Sequence, residues 1–119
     1  MAWTLDDSRP IWPQLSQQLA RQIIAGVYPP GSRLPSVREL AAEAGVNPNT
    51  MQRALVQLEQ ENLAKADRTA GRLVTQDVAA LEAARLREAE AVIRDYLEAM
   101  AALGYTGEQA VQLLKEEFQ

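Results

Sequence analysis

Apolar residues in the middle of the chain recur at helical spacing in two short segments. Steps of three and four between residues 48 and 61 predict a helix with one buried face. A shorter pattern of the same kind predicts a helix over about 37–44. The apolar residues of the two helices are Leu40, Ala41, Ala44, Met51, Ala54, Leu55 and Leu58. The sequence therefore predicts a pair of short helices that share a core.

The residues around these segments are typical of helix ends. Ser36 and Glu39 have the spacing of a capping box at the start of the first helix. Gly45 suits the left-handed position just after that helix. Asn47 and Pro48 suit the N-cap and the first position of the second helix. Only three residues then join the helices, and a short turn of this kind containing glycine is typical of a helix-turn-helix.

The face of the second helix opposite its apolar side carries Asn49, Gln52, Arg53, Val56 and Gln60. Arginine can donate to guanine and asparagine or glutamine can pair with adenine in a major groove. Residues near the start of such a helix enter the groove. The alternative is a capped helical hairpin of any α domain, because a polar outer face is normal for a surface helix.

The flanking segments add an earlier helix and a small hairpin. Residues 11–26 have an apolar stripe that predicts a helix. Residues 63–66 and 72–75 predict two short strands around a loop that carries Arg68 and Arg72. Directly after a groove-reading helix, this hairpin would be a wing whose basic residues meet phosphates or a minor groove. The alternative is a surface hairpin with two solvated arginines.

The C-terminal part predicts a long helix over 77–103 and a shorter one that Thr106 caps. A helix of about 27 residues is some 40 Å long, too long for one short partner to cover its apolar stripe. Exposed apolar stripes commonly form interfaces, so we expect dimerisation here, although packing within one chain is the alternative. The residues expected at the dimer interface are Leu86, Ile93, Leu97, Met100 and Leu114.

Composition narrows the classes of function. The 119 residues are 47% hydrophobic, which suffices for a core, and include no cysteine and no histidine. Disulfides, thiolate metal sites and the commonest general base are therefore excluded, and we expect no cofactor, no metal and no enzyme activity. No apolar run approaches the roughly 20 residues of a membrane span. The N-terminus lacks the layout of a signal peptide, so a cytoplasmic protein without membrane contact is expected.

The net charge of −4 is unusual for a protein that binds DNA. Its distribution is uneven, because residues 1–75 hold eight basic and seven acidic side chains whereas residues 76–119 hold four and nine. Local charge at the contact face matters more than the total. A modest positive balance still predicts that affinity depends on dimerisation and on salt.

Residues 9–75 resemble the winged helix-turn-helix domain of GntR-family bacterial transcription regulators. The resemblance rests on Pro10-Ile11-Trp12, on the segment from Pro30 to Ala41 and on the segment from Gly45 to Leu55. The short two-helix C-terminal part is similar to that of the YtrA-type subgroup, which lacks a large effector domain. The resemblance implies a homodimeric repressor, often of transporter genes.

The resemblance and the helix patterns together give a set of expected DNA-binding residues. Pro48 stands where many relatives have a basic residue, and Thr69 replaces the first glycine of the usual Gly-x-Gly wing. The expected contacts are Ser36, Arg38, Asn47, Asn49, Thr50, Gln52, Arg53, Arg68, Thr69, Gly71 and Arg72.

The sequence thus predicts a mainly α protein with a small β-wing. Residues 1–75 would form a winged helix-turn-helix that binds a double-stranded DNA operator, and residues 76–119 a two-helix dimerisation appendage. A protein-interaction module is the alternative from another class. The sequence indicates no small-molecule effector and leaves open whether one acts.

Overall fold

The computed structural model describes residues 3–119 and confirms a mainly helical chain with a two-stranded antiparallel wing. Its backbone contacts form two compact units, one ending at Arg85 and the other comprising Leu86–Gln119. The elements are α1 (Ile11–Ile24), α2 (Val37–Ala44), α3 (Pro48–Gln60), β1 (Ala64–Asp67), β2 (Gly71–Val74), α4 (Val78–Ala102) and α5 (Gly107–Glu116).

The core of the first unit lies where α3 packs against α1 and α2. The apolar stripes predicted for α1 and α3 are the residues that are buried, which confirms the orientation of both helices. Burying one large aliphatic side chain contributes about 1.5–3 kcal/mol. The largest fully buried residues are Leu15, Leu19, Ile23, Leu34, Leu40, Met51, Leu55, Leu58 and Leu63.

The predicted caps form around α2 and α3. The Ser36 hydroxyl accepts from the Glu39 amide at 3.1 Å, and the Glu39 carboxylate accepts from the Ser36 amide at 3.4 Å. Gly45 ends α2 at φ 69°, a left-handed conformation that costs glycine little. The Asn47 side chain accepts from the Asn49 amide at 2.7 Å and so caps α3. Local chemistry therefore fixes the turn between the two helices.

The wing comprises residues 64–74, in which Ala64 pairs with Val74 and Asp67 with Gly71. The first strand lies one residue later than the predicted segment 63–66, because pairing continues to Asp67. The second lies one residue earlier than the predicted segment 72–75, because pairing begins again at Gly71. The chain just before α2 adds a third, unpredicted partner. Its Leu34 amide donates to the Arg72 carbonyl at 2.9 Å, so β2 lies between β1 and this segment.

The segment before α1 is held against that helix by two glutamine side chains. The Gln18 amide exchanges hydrogen bonds with the backbone of Thr4 at 3.1 and 2.7 Å. The buried Gln14 does the same with Asp6 at 2.8 and 2.9 Å. Trp3 and Leu5 pack against the core from this segment, whose contribution the apolar pattern did not predict.

The second unit pairs the later part of α4 with α5. The Tyr96 hydroxyl donates to the Ala110 carbonyl at 2.6 Å, and Thr106 forms a capping box with Gln109 at the start of α5. Within Leu86–Gln119, Ala110 is the single buried residue. The exposed large apolar residues of this unit are Leu86, Val92, Ile93, Leu103, Tyr105, Val111, Leu113, Leu114 and Phe118.

No helix among residues 3–119 combines the length and the apolar character that crossing a lipid bilayer requires.

Candidate nucleic-acid interface

The outer face of α3 lies opposite its buried side. A turn of about 100° per residue places Asn49, Gln52, Arg53 and Val56 on this face, and all four are exposed. The side chains of Asn49 and Gln52 form no hydrogen bond with any described residue. Donors and acceptors that suit base edges are therefore free for an external partner.

Arg53 lies at the edge of this face that is nearer to α1. Its Cζ atom is 4.7 Å from the centroid of the Trp12 ring, a cation–π distance. Arg53 has no hydrogen bond or ion pair within residues 3–119. Within these residues the guanidinium therefore lies against an aromatic ring and is not paired with a carboxylate.

Glu59 lies at the other edge of α3, towards the wing. Its carboxylate accepts a hydrogen bond from Nε of Arg72 in an ion pair whose side chains are only 29% and 18% exposed. Arg72 was expected to contact DNA, and the structure places its guanidinium in this internal contact. The pair connects the wing to α3 and so fixes the wing beside the helix.

The tip of the wing is ordered by Asp67. Its Oδ1 accepts from the amides of Thr69 and Ala70 and from the Thr69 hydroxyl, each at 2.9 Å. The hydrogen bonds from the Ala70 and Thr69 amides hold the pKa of Asp67 below its ordinary value. Gly71 follows at φ 84°, where another residue would be strained. Thr69 and Gly71, both expected contacts, therefore shape the turn that presents Arg68.

Several basic side chains beside α2 and the wing have no carboxylate partner. Arg33, Arg38 and Arg68 are exposed, and none has an ion pair among the described residues. Arg33 also lines a cleft of about 360 Å³ between the start of α2 and the wing. This unpaired charge suits a polyanion and gives the face a more positive character than the total charge suggests.

Ser36, Asn47 and Thr50 lie at the starts of α2 and α3. The side-chain oxygens of Ser36 and Asn47 accept the capping hydrogen bonds, so these residues order the helix ends. The Ser36 hydroxyl hydrogen and the Asn47 amide group remain as donors. Thr50 is half-buried in the first turn of α3.

The structure brings four residues to this site that were not among the expected contacts: Trp12, Arg33, Glu59 and Asp67. The roles of Trp12 and Glu59 depend on partners 41 and 13 positions away in the sequence, which no local pattern indicates. The role of Asp67 could have been predicted from the local sequence, because an aspartate two residues before a threonine favours a turn that the aspartate side chain caps.

A model of the gntR family of bacterial regulatory proteins matches residues 13–74, more than half of the chain. The chain belongs to the GntR family. This GntR protein is 29% identical over 108 residues to the uncharacterized HTH-type transcriptional regulator YhcF of Bacillus subtilis, covering 91% of this chain and 89% of YhcF.

Two further comparisons concern the domain and the whole chain. The HTH-type transcriptional repressor YtrA of Bacillus subtilis is 39% identical over 70 residues, which cover 59% of this chain and 54% of YtrA. A GntR family transcriptional regulator from Listeria monocytogenes has a TM-score of 0.81 at 33% identity, covering 94% of this chain and 98% of that one. The match with the Listeria protein therefore extends over both units, and the match with YtrA supports the similarity to YtrA-type members.

These matches establish the general activity. This GntR protein is a transcriptional regulator with a DNA-binding helix-turn-helix, and it is not an enzyme. Among residues 3–119 no group of acidic side chains is arranged to hold a metal ion. We call α3 the recognition helix from here on.

Proposed function

We propose that this regulator is a homodimeric repressor that binds a two-fold-symmetric operator with one recognition helix of each copy in a major groove. The observation that carries the proposal is the outer face of α3, where Asn49, Gln52 and Arg53 are exposed and their side chains have no hydrogen bond with any described residue. The cap at Ser36 fixes the start of α2, and the cap at Asn47 fixes the start of α3. The two caps preorganise the helix pair for the groove.

The contacts divide into those that read bases and those that fix position. Arg53, Gln52 and Asn49 read base edges in this proposal, because their side chains carry the paired donors and acceptors that bases recognise. Arg38 and Thr50 bind phosphates and set the register of the helix. The donors at Ser36 and Asn47 and the wing residues Arg68, Thr69 and Gly71 complete the contacts with the DNA backbone. Arg72 contributes to these contacts by holding the wing beside α3 through Glu59.

The second unit supplies the dimer in this proposal. A helical pair with Ala110 as its single buried residue has almost no core of its own. Leu86 and Ile93 are 60% and 55% exposed on α4, and Leu114 is 48% exposed on α5. Leu97 and Met100 are half-buried on the same stripe of α4. Burying these residues against a second copy would remove the exposed apolar surface.

A dimer also compensates for the modest charge of the DNA-binding unit. Two recognition helices related by two-fold symmetry would enter successive major grooves about 34 Å apart, which requires an inverted repeat. Each copy adds its own phosphate contacts, and the affinity then falls steeply with salt.

The direction of regulation is proposed from the relatives. YtrA of Bacillus subtilis, which is 39% identical over 70 residues, is named a transcriptional repressor. We propose repression here as well, with a transporter operon as the regulated unit and the cytoplasm as the compartment where the protein meets DNA. No effector forms part of the proposal.

A mobility-shift titration with fragments of the host genome tests this function. We expect a small set of fragments, including DNA upstream of the regulator's own gene, to be retarded at a salt concentration that releases the rest. Uniform retardation of all fragments would contradict sequence-specific regulation. The absence of any retarded band at low salt would instead favour a protein-interaction module.

A further inference from the structure

We infer that Trp12 is a positioning residue for DNA recognition and that it acts by holding the guanidinium of Arg53 at the edge of the recognition helix. The inference rests on the proposed function, in which Arg53 reads a base. Trp12 is the second residue of α1 and packs half-buried against the core, so its ring is fixed to a different helix from the one that enters the groove.

The geometry of the contact explains why it suits recognition. The Cζ atom of Arg53 lies 4.7 Å from the ring centroid, inside the range of about 6 Å over which a cation–π attraction acts. This attraction uses the positive charge above the ring and none of the N–H donors. All of the donors of Arg53 therefore stay available for the O6 and N7 atoms of a guanine.

Arg53 is held by an aromatic ring, whereas Arg72, in the same unit, is held by a carboxylate. Its Nε–H donates to the carboxylate of Glu59, so that donor is already used and part of the charge is neutralised. A carboxylate beside Arg53 would occupy its donors in the same way and would also repel the DNA backbone. An aromatic partner orders the side chain without either cost.

The contact with Trp12 lowers the conformational entropy that the Arg53 side chain loses when it binds DNA. A free arginine side chain has many rotamers, and fixing them on binding opposes affinity. A cation–π contact at an exposed site is worth enough to favour one orientation by about two- to fivefold. We expect Trp12 to contribute to operator discrimination by that factor, without touching DNA.

A double-mutant cycle tests the inference in the full-length chain. The probes are a duplex that the wild-type protein selects from a randomised library and a scrambled duplex of the same composition, and the readout is the ratio of the two Kd values. Trp12→Leu should lower this ratio about two- to fivefold, whereas Trp12→Tyr, which keeps an aromatic face, should retain most of it. In an Arg53→Ala background, Trp12→Leu should cause no further loss.

The outcomes separate the inference from the proposed function. If Arg53→Ala leaves the ratio unchanged, the base-reading role of Arg53 fails, and the inference fails with it. If Arg53→Ala lowers the ratio but Trp12→Leu does not, only the inference is overturned. Equal losses from Trp12→Leu with and without Arg53 would show a general structural role for the ring and would also overturn it.

Fluorescence provides a readout in case Trp12→Leu disturbs folding. The chain has two tryptophans, so a Trp3→Phe background leaves Trp12 as the sole tryptophan, which is excited selectively beyond the absorption of the three tyrosines. Arg53→Ala should then change the emission of Trp12, and Gln60→Ala, an exposed change further along the same helix, should not. Emission that is insensitive to Arg53→Ala would contradict the contact on which the inference depends.

Discussion

At the scale of single residues, the interface separates groups that are free from groups that are already engaged. Asn49, Gln52 and Arg38 offer their side chains to solvent without an internal hydrogen bond. Arg72, in contrast, is held by Glu59. The residues predicted from the sequence to contact DNA therefore differ in how free their side chains are. Those with free side chains are the better candidates for direct contact with DNA.

Substitution of single residues should separate base reading from phosphate binding. Arg38→Ala should weaken binding to all sequences alike and reduce the salt slope by about one, because one phosphate contact is lost. Gln52→Ala or Arg53→Ala should instead reduce discrimination by about 1–3 kcal/mol at one base pair. Titrations on operator and scrambled duplexes at several salt concentrations measure both effects.

Arg87→Ala is the control for charge, since Arg87 is an exposed arginine of α4 outside the interface. It should leave both the salt slope and the discrimination unchanged. An operator preference that survives Arg53→Ala intact would show that the role assigned to Arg53 is wrong.

At the scale of elements, the contact of Glu59 with Arg72 joins the recognition helix to the wing. Glu59→Gln should destabilise the first unit by about 1–2 kcal/mol, because it leaves a half-buried guanidinium without its charged partner. Denaturant unfolding measures the change in the free energy of unfolding.

The exposed pair of Glu82 and Arg85 is a matched control, with side chains 60% and 61% exposed. Glu82→Gln should change the free energy of unfolding by less than about 0.5 kcal/mol, as is usual for surface ion pairs. Equal effects of the two substitutions would mean that the pair of Glu59 and Arg72 does not hold the wing.

The helix ends could be predicted from the sequence wherever capping by neighbouring residues determines them. Ser36, Glu39, Gly45, Asn47 and Pro48 fixed the bounds of α2 and the start of α3, because capping involves neighbours in the sequence. The apolar stripe of α3 likewise predicted its buried face.

Contacts between distant segments could not be predicted in this way. The ring of Trp12 beneath Arg53, the pairing of Leu34 with Arg72 and the anchoring of Thr4 by Gln18 all depend on how the elements pack. Periodicity indicates which face of an element is buried, but it does not indicate which residue of another element lies there.

At the scale of the whole molecule, the chain has two units with different surfaces. The unit that ends at Arg85 has a complete core and a face with unpaired arginines. The unit Leu86–Gln119 is acidic and leaves most of its large apolar residues exposed. We propose that the second unit joins two copies of the first, so that affinity for an operator depends on assembly.

Ile93→Asp tests this dependence, because Ile93 is exposed and its substitution disturbs the chain itself less than that of the half-buried Leu97. A charge placed in an apolar interface should dissociate the dimer, which light scattering at micromolar concentration measures. Operator affinity should fall far more than affinity for scrambled DNA, since one copy reads only a half-site.

Ala99→Asp is the matched control, since the turn of the helix places the exposed Ala99 well away from the stripe of Leu86 and Ile93. It should leave the dimer intact. A wild-type chain that scatters as a monomer, or an Ile93→Asp variant that remains dimeric, would contradict the assigned interface.

Selection of DNA from a randomised library by the wild-type chain shows whether two recognition helices read one operator. We expect enrichment of an inverted repeat whose half-sites are centred about one helical turn, or 10 base pairs, apart. Two chains should bind each selected duplex. Enrichment of a single site without a repeat, or of no sequence at all, would contradict the proposal that two recognition helices read one operator.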